Sequence, residues 1–185
     1  EVSQLDFGDF ITATVFEDDD LALGNTDLRP DTTWVAEASH ERRFGRSAVI
    51  KLTVFHHWIN DVLDLLPLSA TFEAPGNIGK GRRWGMELES TIPLDWLGLS
   101  GAKLDALVRL QDSTVIDPVT GENRVLSGQG GTFAYRTLAN LNANNRYFIL
   151  LDFGQDLESS KIAWGWTLAE RDQRPLYKVN EFDVY

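Results

Sequence analysis

Cysteine is absent from the 185-residue chain, so neither disulfides nor thiolate metal sites can form. Histidine is scarce at three residues. The one adjacent pair, His56-His57, would point to opposite faces of a strand, so no metal site is expected. Cations are outnumbered, with 17 Lys and Arg against 28 Asp and Glu and a net charge of −11. A nucleic-acid partner would need a basic stripe to displace counterions, so that class is excluded. Anionic headgroups have no reason to be drawn to such a surface either. No apolar run approaches the ~18 residues of a membrane-spanning helix, which leaves open only spans made of strands. No charged segment followed by an apolar one opens the chain after Glu1, so no secretory signal is expected within it.

Catalytic constellations are missing as well. No Gly-rich phosphate loop opens a helix, and no serine sits in a nucleophile elbow. Glu87 and Glu89 share one strand face, as a glycosidase pair could, but carboxylates two residues apart on a polar face are ordinarily solvated. Asp18-Asp19-Asp20 lacks the spacing, glycine and distal glutamate of a calcium loop and reads as a solvated run. The chain is therefore expected not to be an enzyme, with no catalytic, cofactor-binding or metal-ligating residues and no cofactor.

What the chain does contain is apolar residues at 43%, with six Trp, ten Phe and four Tyr, enough for one ordered segment over residues 1–185. Their spacing is two rather than the three-and-four of a helix. Asp9 to Phe16 predicts a first strand. The loop Gly24-Asn25-Thr26-Asp27-Leu28-Arg29-Pro30-Asp31 then leads into a strand with Trp34, Ala36, Ala38 and Phe44 on one face and Glu37, Ser39, Glu41 and Arg43 on the other. Asp27 and Arg29 read as a solvated charge pair holding that loop's shape. Gly45-Arg46 turns the chain back into Ile50, Leu52, Val54 and Trp58, opposed by Lys51, Thr53 and His57. Asp64 to Arg82 reads as a long structureless loop punctuated by Pro67, Pro75, Gly76, Gly79 and Gly81. Trp84, Met86, Leu88 and Ile92 alternate with Gly85, Glu87, Glu89 and Thr91; Trp96 to Gly101 turns; Leu104, Ala106, Val108 and Leu110 return. A polar stretch from Asp117 to Asn144 follows, with Phe133 to Leu141 as an outer strand extension. Tyr147, Ile149, Leu151 and Phe153 then pair back through Glu158-Ser159-Ser160 to Ile162, Trp164, Trp166 and Leu168, and Leu176 to Tyr185 forms a last extended segment.

The fold class is thus all-β, an antiparallel meander of long hairpins. Three short turns alternate with long polar loops. A soluble sandwich has no reason to collect its short turns at one end, whereas transmembrane barrels do. Aromatic residues on the apolar face fit either a membrane interface or a sandwich core. The opposite face carries Glu37, Glu41, Arg43, Lys51, Glu87, Glu89, Asp105, Arg109, Asp152 and Arg171 among Gly85, Gly154 and Gly165, as a water-filled lumen or a sandwich surface would. His40 and Arg42 fall on the apolar side near the Gly45 turn, where a barrel would place them at the membrane edge.

The loop Gly24 to Asp31, followed by Thr33-Trp34 and by Glu41-Arg42-Arg43-Phe44-Gly45, resembles TonB-dependent outer-membrane receptors. Gly81-Arg82-Arg83-Trp84-Gly85-Met86-Glu87-Leu88-Glu89, Asp117-Pro118-Val119-Thr120-Gly121 and Phe153-Gly154-Gln155-Asp156-Leu157 resemble the same barrels. In that family a proline, a lysine and a glutamate stand where this loop has Thr26, Arg29 and Asp31. The resemblance implies part of a transmembrane β-barrel in the bacterial outer membrane that imports siderophores or other large solutes. It implies as partners a plug domain and the TonB complex, both through the parent chain, together with outer-membrane lipid. No plug is expected within these residues, and edge strands of such a segment would be exposed and prone to self-association. The alternative is a soluble β-sandwich that binds carbohydrate or another ligand through its long loops. Either way, selectivity is expected in the loops Asp64 to Arg82 and Asp117 to Asn144.

Overall fold

The computed structural model describes residues 15–17, 20–22, 25–45, 47–67, 73–127, 145–172, 175–177 and 182–184. Their regular elements are strands, apart from one 3₁₀ turn at Asp95–Leu97. In chain order they are β1 (Val15–Glu17), β2 (Asp20–Ala22), β3 (Thr32–Phe44), β4 (Ala48–Asn60), β5 (Leu63–Pro67), β6 (Glu73–Asn77), β7 (Gly81–Pro93), β8 (Ala102–Ile116), β9 (Asn123–Arg124), β10 (Tyr147–Leu157), β11 (Ile162–Arg171), β12 (Pro175–Tyr177) and β13 (Phe182–Val184).

Six long strands form one antiparallel sheet in the order β11-β10-β8-β7-β4-β3, with β9 added beside β8. Neighbours in space are neighbours in the chain, as a meander requires. The turns β3–β4, β7–β8 and β10–β11 all lie at one end, and the long connections all lie at the other. Gly45 makes the first of these turns at φ 56°, and Gly98 and Gly101 make the second at 80° and 69°, a left-handed backbone that glycine adopts without strain. Pro93 ends β7, where its missing N–H costs least.

The segment expected to be a structureless loop from Asp64 to Arg82 is instead a hairpin, β5 with β6, running directly into β7. Pro75 and Gly76 do not punctuate here. They are buried strand residues, and a Cβ on Gly76 would lie 2.5 Å from Leu66 Cγ, so the glycine makes room for that side chain. The last segment is likewise two short strands, β12 paired with β13, rather than one extended run. Asp20 lies in β2 opposite Glu17 of β1 rather than in a loop. Strand β8 runs to Ile116, past the apolar alternation that stopped at Leu110, because polar residues on both faces leave no pattern to read. The predicted strand residues 9–14, Gly24, Arg46 and Phe133 to Leu141 lie outside the described residues.

Among the described residues no second sheet packs on the six-strand sheet. The buried apolar cluster among the described residues is Ile59, Val62, Val115 and Leu126 at the long-loop end, with Ile78 against it. A sandwich buries one whole face of each sheet against the other, and the described residues show no such packing.

Candidate functional site

Register places every apolar set on one face. Ala38, Val54, Met86, Leu110 and Tyr147 stand side by side, as do Leu88, Val108 and Ile149. Leu52, Val54, Met86, Leu88, Leu110, Trp164, Trp166 and Leu168 on this face remain 36–50% exposed. So wide an apolar surface is not one that water tolerates. Its upper edge is also oblique. It starts at the Trp34–Trp58 pair and steps down two residues to Trp84 and two more to Leu110 and Tyr147. It steps down four more to Leu168, making eight residues over five strand junctions. At ~3.4 Å per residue and ~4.8 Å between strands this is a slope of about 48°, the tilt of strands in a membrane barrel. On that slope the stretch from Trp58 to Ile50 is about 20 Å tall, close to the apolar band of such barrels.

Aromatic rings rim the band. His56 lies 4.2 Å from the Trp58 ring and 6.1 Å from Trp84, between centroids, with Nε2 buried and without a hydrogen-bond partner among the described residues. Towards the short-turn end, Phe153 stacks on Trp166 at 5.6 Å, and Trp164 Nε1 donates to Gln155 Oε1 at 3.0 Å. Arg42 stands opposite Ile50 at the band's lower end, with its guanidinium 4.9 Å over the Phe44 ring.

The opposite face is polar and neutralises itself. Lys51 pairs with Glu89 at 2.7 Å, and Arg109 with Glu87 at 2.5 Å. Each carboxylate that sequence alone placed on one strand face therefore answers a cation on a different neighbouring strand. Lys103 pairs with Asp105 at 2.9 Å, and Thr91 donates to Asp105 at 2.6 Å. Thr167 donates to Asp152 at 2.8 Å, and the Ser39 and Thr53 hydroxyls meet at 3.0 Å. Arg83 donates to His57 Nδ1 at 2.9 Å, so the two adjacent histidines do point to opposite faces. Gly85 is required on this face, since a Cβ there would run into the Leu110 carbonyl and come within 2.7 Å of Gln111 Cβ. Among the described residues no three His, Asp or Glu side chains gather as metal ligands.

At the long-loop end the connections fold onto this polar face. Ile59, Gly81 and Val115 form its last row, and Val62 and Leu126 seat over Gly81, where a Cβ would lie 2.9 and 3.3 Å from them. Ser113 Oγ accepts from Leu126 N at 3.0 Å, and Gln111 Nε2 donates to the Asn145 carbonyl at 2.7 Å. Arg124, with its side chain 8% exposed, donates to Asp64 Oδ2 at 2.9 Å and Asp117 Oδ2 at 2.8 Å. It also lies 4.1 Å over the Tyr177 ring. Ser127 Oγ adds a 2.6 Å bond to Asp64. The leading loop docks here too. Asn25 Nδ2 donates to the Pro75 carbonyl, while the Asn77 amide accepts from Arg29 N and donates to the Arg29 and Asp61 carbonyls, all at 2.8–2.9 Å. Asn25 Oδ1 closes a turn on Asp27 N, and no ion pair joins Asp27 to Arg29 among the described residues. Asn25 and Asn77, not the charge pair, hold that loop. No sequence signal marked Asn77 or Arg124.

One face for lipid, one for water and an ordered mouth at one end are the three surfaces of a barrel wall. No curated protein matches the chain. The family described as TonB dependent receptor-like, beta-barrel matches residues 7–176, and the chain belongs to it, as part of the transmembrane β-barrel of an outer-membrane transport receptor.

Proposed function

We propose that the chain is a stretch of wall in an energised importer of siderophores or other large solutes. Its long-loop end faces outward and its short turns face the periplasm. The observation that carries this reading is the oblique apolar band backed by a self-paired polar face. The band meets outer-membrane lipid. The polar face lines the lumen, where the plug domain of the parent chain sits and from which the TonB complex draws it. Because Lys51, Arg109 and Lys103 are each matched within the wall, the lumen offers the plug hydrogen-bonding groups but little net field. A polypeptide seated there can shift without breaking strong ion pairs. Solute is recognised by the long loops rather than by the wall.

The test has two arms. In proteoliposomes of the full receptor, lipids brominated in their chains quench Trp58 and Trp164 fluorescence; emission indifferent to them overturns the membrane assignment. In cells, the receptor restores uptake of ferric siderophore to a strain lacking its own receptors, and a protonophore abolishes that uptake. Restored uptake that survives the protonophore overturns energised import, and no restoration with any siderophore overturns that solute class.

A further inference from the structure

Arg124 joins three connections of the long-loop end, its own among them. Asp64 lies in the connection between β4 and β7, Asp117 in that between β8 and β10, and Tyr177 in the segment after β11. Asp64 lies 60 residues from it in the chain and Asp117 seven, and both carboxylates are shielded, with side chains 3% and 15% exposed. Asp64 is further held by Ser127 Oγ and by the Leu65 N–H at 2.8 Å. A buried guanidinium stripped of its carboxylates is strongly unfavourable, so the three connections stay together or separate together. The site of this contact matters. Val62 and Leu126, carried by two of these connections, cover the last row of the polar face rather than the lipid face. The strands below them are joined by their own backbone ladders and do not need the cluster to remain paired.

We propose that Arg124 is a positioning residue for the mouth of the barrel, a staple that holds three connections folded over the lumen and sets how far water and solute reach past Val62 and Leu126. Releasing it opens the mouth and leaves the wall intact. The staple acts whichever side of the membrane the mouth faces and whatever the solute is.

The chain has no cysteine, so in a full-length receptor with any cysteine elsewhere replaced by serine a single introduced thiol reports cleanly. In purified full-length receptor in detergent micelles, Val62→Cys, buried at 5% exposure, reacts slowly with a maleimide, while Val119→Cys at the exposed loop tip reacts fast in every background. Adding Arg124→Met raises the Val62→Cys rate about tenfold or more, with the melting temperature of the barrel, read from its heat-modifiable mobility on gels, unchanged. If Arg124→Met does not assemble, Ser127→Ala removes one bond to Asp64, keeps both ion pairs and gives a smaller acceleration at the same position. A Val62→Cys rate indifferent to the variant that assembles overturns the staple. So does a rate that rises only in step with a fall in barrel melting, which marks a general structural role.

Discussion

Lys161 stands at φ 54° in the turn between β10 and β11, a left-handed backbone that costs a residue with a Cβ about 1–2 kcal/mol. Glycine escapes that cost but loses about 0.5–1 kcal/mol of chain entropy. Lys161→Gly is therefore expected to stabilise the receptor by a net ~0.5–1 kcal/mol, read as a rise in the urea midpoint of the barrel; a fall would show that the lysine side chain matters to the turn. At the same scale, His56 and His57 show how one step along a strand changes everything a side chain meets. His56 lies among Trp58 and Trp84 on the lipid side, and His57 accepts from Arg83 on the lumen side. Period-two alternation made that separation legible in advance. Nothing comparable announced that Gly76 lies beneath Leu66 or that Gly85 abuts the backbone of β8, because both depend on residues distant in the chain.

Among elements, the two faces of the strands respond differently to charge. Leu88 sits mid-band on β7 between Leu52 and Val108, whereas Thr167 on β11 faces the lumen beside Asp152. Leu88→Arg is expected to cost ~2–4 kcal/mol of folding into bilayers, and Thr167→Arg well under ~1 kcal/mol on the same scale. Equal costs, measured by reversible folding into vesicles, would contradict the assignment of faces. The loop cluster has its own pH dependence through Asp117. Burial works to raise its pKa, but donation from the Thr120 and Val119 N–H groups and from Arg124 outweighs this, so the carboxyl titrates below its ordinary 3.8. A depressed folded pKa means that the stabilisation is complete above the unfolded value and lost as pH falls through the folded one. Hydrogen exchange of residues 117–124 is thus expected to show undiminished protection at neutral and mildly acidic pH. Protection is expected to fall only once pH passes below 3.8; a loss already at pH 6 would point to another group.

The whole sheet has two long edges, β3 and β11, that no strand covers among the described residues. In a receptor those edges continue the barrel. Exposed backbone donors and acceptors on a 13-residue edge such as β3 are a template for further pairing. The 185-residue chain expressed alone and refolded in detergent is expected to associate through these edges, and sedimentation of a monodisperse monomer would refute this. Its oblique apolar band belongs to the same scale. No single strand has a tilt, and the slope emerges only when the five registers of the six strands are laid side by side.

Alternation, turn chemistry and loop length by themselves determined that this chain is a meander of strands with one apolar and one polar face, its short turns gathered at one end. These are local properties, set by a side-chain period of two and by the backbone freedom of residues such as Gly45 and Gly98, so they survive in the linear order of residues. Tertiary structure alone decided the rest. It set the slope of the band, the matching of Glu87 to Arg109 and of Glu89 to Lys51, the hairpin hidden around Pro75, and the network that Arg124 and Asn77 build at the mouth. The hairpin pairs residues 6 to 14 apart across a stretch with no alternation to read, and the ion pairs and the Asn77 and Asp64 contacts join residues some 20 to 60 apart; a contact at that range leaves no trace in the spacing of neighbours.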